Sequence, residues 1–97
     1  WPADSVIIGG ILYTKEQALE ILWNAKATDA TIMLAAQLIA AKLNLANGAY
    51  ASPSILVTIA DADAFLAAHT VGSNPQGPDR DYALTLKNTL DSFNNGH

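Results

Sequence analysis

Ninety-seven residues with nine acids, five bases and no cysteine carry a formal net charge of −4. That balance excludes a phosphate-backbone binder, because Lys15, Lys26, Lys42, Arg80 and Lys87 are scattered and form no cluster able to displace counterions. Without cysteine the stretch has no disulfide, thiol nucleophile or Cys-ligated zinc. Gln37 and Lys42 interrupt the longest apolar run short of the ~18–20 residues a membrane span needs, so no membrane insertion is expected. Length predicts one domain over residues 1–97, with a core that buries about 60–65% of the unfolded surface. Charged residues are 14%, below the usual ~25%, which predicts a largely neutral exterior, part of it covered by something else. The start at Trp1 rather than Met reads as a piece of something longer.

Along the chain, Ser5 to Tyr13 is two β-prone runs around Gly9-Gly10, a two-residue hairpin signal over 5–13. A lone hairpin is marginal in water, so it is expected to pack on helices. Thr14 with Gln17 three residues later forms a capping box and opens a helix over 15–24 that buries Ala18, Leu19, Ile21, Leu22 and Trp23. Thr28-Asp29 caps a second helix over 29–46, closed by Asn47-Gly48. From Ile32 to Leu45 only Gln37, Lys42 and Asn44 are polar and no face collects all three, so this helix is expected at the centre, wrapped by the others. Ser52-Pro53 starts a third helix over 53–69, with Ile55, Leu56, Ile59, Ala62 and Leu66 as its buried stripe. Thr70 to Pro78 is a loop. A fourth helix over 79–94 carries Tyr82, Ala83, Leu86, Leu90 and Phe93 inward and ends at Asn95-Gly96. The fold class is all-α: a compact four-helix domain with a short N-terminal β-hairpin.

The residues able to carry chemistry do not assemble into a site. His69 suits the negative end of the third helix, and His97 is the last residue; nothing beside either has ligand spacing. Asp61-Ala62-Asp63 resembles a metal-binding pair, but residues two apart on a helix point about 200° apart, so one is expected in solvent and the other to cap or pair. Asp79 and Asp81 suit the start of a helix, and the loop from Asn74 to Asp81 departs from calcium-loop spacing. Glu16 and Glu20 share a solvated face. Ser5, Ser52, Ser54, Ser73 and Ser92 lie in no nucleophile elbow, and no nucleophile, base and orienting group can be named together. Gln37 and Asn44, seven apart, share one side of the central helix and need partners in the hairpin or a loop backbone. Tyr13, Trp23 and Tyr82 are expected to close the ends of the core. Trp1 and Tyr50 sit outside the predicted helices and are the candidate interaction surface.

The run Gly10-Ile11-Leu12-Tyr13-Thr14-Lys15 into Leu19 and Leu22, then Gln37-Leu38-Ile39-Ala40-Ala41-Lys42-Leu43-Asn44 with Asn47-Gly48-Ala49, resembles a bacterial secreted domain of no assigned activity. In that group a G-Y-W-K-N-H-P-E-A-W-P-like segment comes first and a helix ending in L-D-x-[YF]-N-N-G comes last. Trp1-Pro2 matches the end of the first, and Leu90-Asp91-Ser92-Phe93-Asn94-Asn95-Gly96 matches the second. Two departures stand out. Ala36 occupies a position where relatives often have histidine, and the cysteines that often flank the domain are absent. The resemblance implies an extracellular or cell-surface setting beside adhesin-like or repeat modules, and it implies no reaction.

The resulting expectation is a non-catalytic extracellular structural or interaction module. Assembly into a larger surface structure is one version, and a spacer or adhesion domain is the other. The partner is a protein or a second copy, with no nucleic acid, no cofactor and no metal. The rival is a small-ligand or glycan-binding domain, less readily a hydrolytic one, with a pocket lined by Tyr50, Trp1 and the loop Thr70–Pro78. An exposed apolar patch discriminates for assembly, and a concave pocket with converging polar groups for the rival.

Overall fold

Short local signals start each element. A computed structural model describes residues 4–23 and 28–96. Strands β1 (Ser5–Ile8) and β2 (Ile11–Thr14) pair antiparallel with Val6 opposite Tyr13, Ile7 opposite Leu12 and Ile8 opposite Ile11. The two-residue turn needs positive φ at both central positions, and Gly9 and Gly10 supply φ of +59° and +80°. Alternation sends Val6 and Ile8 into the core and leaves Ile7 and Leu12 exposed on the other side.

Helix α1 (Lys15–Trp23) begins at the expected capping box: the Thr14 N–H donates to Gln17 Oε1 at 2.9 Å, and the Gln17 N–H to Thr14 Oγ1 at 3.3 Å. Ala18 is buried, Leu19, Ile21 and Leu22 are half-buried, and Tyr13 packs against the core beside them. Trp23 corrects the sequence reading, being 78% exposed. Five residues beyond Ala18, it sits about 140° around the helix from the buried line. The expected last residue, Asn24, lies outside the described residues.

Helix α2 (Ala30–Ala46) is capped by Asp29, whose carboxylate accepts the Thr31 N–H at 2.8 Å. No residue from Ala30 to Leu45 is exposed, and the buried ones (Ala30 through Ala41) cover about 240° of the circumference. The all-round apolar sequence therefore makes a central helix, as expected. Its end is the predicted one, with Asn47 as C-cap and Gly48 following.

Helix α3 (Pro53–Ala68) starts at Ser52 with Pro53 in its first turn. Ala62, Phe65 and Leu66 are buried, and Ile55 and Ile59 are half-buried. Leu56, assigned inward from sequence, is 51% exposed, because it lies about 120° from Ala62 around the helix. Helix α4 (Pro78–Asn94) starts one residue before the expected Asp79, with Gly77 as N-cap, and buries Ala83, Leu86 and Leu90. Tyr82, assigned inward from the sequence, is a further correction. Its ring rests edge-on against Phe65, 5.6 Å between centroids, and stays 46% exposed.

Helices α2 and α4 run in the same direction. Arg80, at the start of α4, donates to the Thr28 carbonyl just before α2 at 2.5 Å, while Asn94, at the end of α4, bonds to Gln37 in the middle of α2 and to Asn44 in its second half. The α3 segment is the crossover that makes this possible. The radius of gyration is 12.2 Å, close to the about 13 Å expected of a 100-residue domain.

Candidate interaction surfaces

Four groups of polar side chains tie the elements together, and each takes up residues weighed in the sequence. The first anchors the hairpin. Lys42 Nζ donates to Asp63 Oδ2 at 2.7 Å and to the Ile7 carbonyl at 2.5 Å, and Asp63 Oδ1 accepts the Gly9 N–H at 3.0 Å. Asp63 therefore faces inward and Asp61 is exposed, the split that two-residue spacing on a helix predicts. Sequence reading grouped Lys42 with the scattered bases. Its partners come from β1 and α3, which no local pattern brings together.

The second group is an amide clasp. Asn94 Nδ2 donates to the Gln37 carbonyl at 2.9 Å and to Gln37 Oε1 at 2.7 Å, and Asn94 Oδ1 accepts from Asn44 Nδ2 at 3.0 Å. Gln37 and Asn44 do share a side and do need partners. The partner is a side chain of α4, however, and not the hairpin or loop backbone expected. Asn94 carried a signal only within the resemblance, in the L-D-x-F-N-N-G ending.

In the third group, Thr31 Oγ1 donates to Asp29 Oδ1 at 2.6 Å and accepts the Gly72 N–H at 2.9 Å, which pins the loop after α3 to the start of α2. The fourth is around His69. Its ring stacks on Phe65 with centroids 4.3 Å apart, Nδ1 lies 3.3 Å from the Phe65 carbonyl, and Nε2 lies 3.3 Å from Asp79 Oδ2. The Nδ1 contact lies within the last turn of α3, and the Nε2 contact to Asp79 reaches across to α4. Ser52 caps α3 through a 3.4 Å bond from the Ile55 N–H, and Ser54 shares a 3.0 Å contact with its hydroxyl. Among the described residues no three His, Asp or Glu side chains gather into a metal-ligating group, and no buried side-chain polar atom lacks a partner. His97 and Trp1 lie outside the described residues.

Clefts open on the surface among the described residues. One, of about 330 Å³, is lined by Tyr13, Gln17, Glu20, Ile21, Ile32, Val71 and Gly72. Another, of about 380 Å³, is lined by Asn44, Ala49, Tyr50, Phe93, Asn94 and Gly96. The pocket expected from sequence combined Tyr50 with the Thr70–Pro78 loop. The structure separates them, since the start of that loop borders the first cleft and Tyr50 borders the second.

A third surface was missed in the sequence. Pro53, Leu56, Val57, Ala60, Ala64 and Ala67 are all exposed, and they fall within a sector of about 120° on α3 that contains no polar residue. The spacing from Pro53 through Val57, Ala60 and Ala64 to Ala67 is four, three, four, three, the spacing of a helix-packing seam. A helix on the surface of a globular domain ordinarily turns charged and polar residues to solvent. Here α3 is apolar on two faces, one against the core and one against water. The only signal available was the scarcity of polar residues from Ile55 to Ala68, where Thr58, Asp61 and Asp63 are alone.

No protein-family model matches this chain, and no curated protein or solved structure is significantly similar to it.

Proposed function

We propose that this chain is a non-catalytic interaction module that associates with a second copy of itself through the solvent face of α3. The observation that carries the proposal is the polar-free sector from Pro53 to Ala67, exposed along the length of the helix. Exposed apolar surface that is contiguous, not scattered, marks an association site. The small side chains Ala60, Ala64 and Ala67 let a facing helix approach to the short end of the usual 8–10 Å range, and Leu56 and Val57 supply the larger apolar contacts. The exposed cross-strand pair Ile7 and Leu12 offers a smaller apolar patch on the hairpin. An extracellular or cell-surface setting rests on the resemblance of the Q-L-I-A-A-K-L-N core and the C-terminal L-D-S-F-N-N-G run.

Light scattering across a hundredfold range of concentration tests the proposal. The expected result is a mass that rises with concentration, with Val57→Glu and Ala64→Glu remaining monomeric at concentrations where the parent chain is associated. A strict monomer throughout overturns self-association, as does association untouched by both substitutions.

A further inference from the structure

A second surface, apart from the solvent face of α3, has a different chemistry. Tyr50 lies in the connection between α2 and α3 with 82% of its surface exposed, more than any other described large hydrophobic residue. An aromatic ring held in water in this way contributes little to the core and offers a flat apolar face with a polar hydroxyl at its edge. Beside it lie Phe93 and two amides, Asn44 and Asn94, around a cleft of about 380 Å³, at the lower end of the size of small-ligand pockets.

We propose that this cleft binds a neutral saccharide, with one sugar ring stacked on Tyr50 and its hydroxyls bonded to the Asn44 and Asn94 amides. A sugar presents an apolar C–H face and a rim of hydroxyls that both donate and accept. Tyrosine and asparagine are the matching pair, since an amide also does both. The amides are held in place before any ligand arrives. Asn94 is fixed by its bonds to Gln37 and Asn44, which leaves Asn44 Oδ1, the second Asn44 amide proton and a lone pair of Asn94 Oδ1 for hydroxyls. Fixing them in advance lowers the ordering cost of binding.

Charge argues against acidic ligands. Among the described residues the lining contains no carboxylate, amine or guanidinium, so none of them neutralises an acidic sugar or a phosphate. Helices α2 and α4 both end at the cleft, at Ala46 and Asn94, and helix C-termini carry partial negative charge. Anions are therefore disfavoured, while neutral hydroxyls are able to donate to this end of the molecule.

The test uses the chain labelled for amide NMR and titrated with glucose, galactose, mannose, N-acetylglucosamine and their β1,4-linked dimers, with glucuronate and choline as charged comparators. The expected result is a neutral sugar that shifts the amides of Asn44, Tyr50 and Asn94 with a Kd of about 1 mM or tighter. Tyr50→Ala weakens it at least about tenfold, and Tyr50→Phe keeps it within about threefold. Because Tyr50 is so exposed, both variants retain the parent's circular dichroism and melting curve. The proposal is overturned if no neutral sugar shifts these amides, if Tyr50→Ala binds as well as the parent, or if choline or glucuronate is the preferred ligand.

Discussion

Two adjacent glycines with similar backbone angles have different jobs. A Cβ on Gly10 meets nothing within 4 Å, whereas one on Gly9 lies 2.8 Å from the Leu66 carbonyl carbon and 2.9 Å from its Cβ. Both substitutions incur the cost of positive φ, about 1–2 kcal/mol, but only Gly9→Ala also forces β1 and α3 apart. Gly10→Ala is expected to lose about 1 kcal/mol and Gly9→Ala about 3 kcal/mol, read as the difference in urea midpoint. The Asp61 and Asp63 pair divides in the same manner. Asp63→Ala leaves the Gly9 N–H without its acceptor and Lys42 with the Ile7 carbonyl alone, and is expected to lower stability by about 1–2 kcal/mol. The ion pair contributes little of that, since its side chains are 23% and 31% exposed. Asp61→Ala is expected within about 0.5 kcal/mol of the parent. The turn at Gly9-Gly10 and the split of the two aspartates were legible in the sequence because both follow from local geometry. That Gly9 touches Leu66, and that Lys42 reaches Ile7 and Asp63, was not legible, since those contacts join segments far apart in the chain.

At the level of elements, the starts and stops were read closely because caps are local chemistry: Thr14 with Gln17, Asp29, Ser52 with Pro53, and Asn47-Gly48 all act where the sequence placed them. The faces were read less well. On α1 and α4 a single apolar stripe is present, and the errors lie at its edges, Trp23 and Tyr82. On α3 there are two apolar faces, and the stripe drawn through Ile55, Leu56, Ile59, Ala62 and Leu66 places Leu56 inward although it is exposed, and leaves Val57 and Ala60 undecided. Packing against α4, α2 and β1 decides it, and the residues left outside form the face proposed for association. If that face serves only association, a charge on it leaves the folded monomer unharmed. Val57→Glu is expected to unfold within about 0.5 kcal/mol of the parent in dilute solution, checked by denaturation well below the associating concentration. A large loss there would make the residue part of the fold instead.

For the whole molecule, the all-α class with an N-terminal hairpin was contained in the sequence, most plainly in the nearly all-round apolar pattern of α2. The arrangement of surfaces was not. The cleft at Tyr50 brings together the ends of α2 and α4, and their common direction is set by the α3 crossover and not by any motif. The amide clasp there has a mechanical meaning. Both ends of the described chain are latched to one helix: β1 through the Lys42 bond to the Ile7 carbonyl, and the last turn of α4 through Asn94 on Gln37 and Asn44. Tension applied between Asp4 and Gly96 is expected to load these latches early, together with the Lys15 N–H bond to the Asp4 carbonyl and the Gly9 N–H bond to Asp63 of α3, with α2 the element both latches share. In force spectroscopy, Asn94→Ala is expected to lower the first rupture force without altering the length of chain released afterwards. An unchanged first rupture would place the load elsewhere. A module strung between neighbours would by this design yield first at its ends and keep its central helix enclosed.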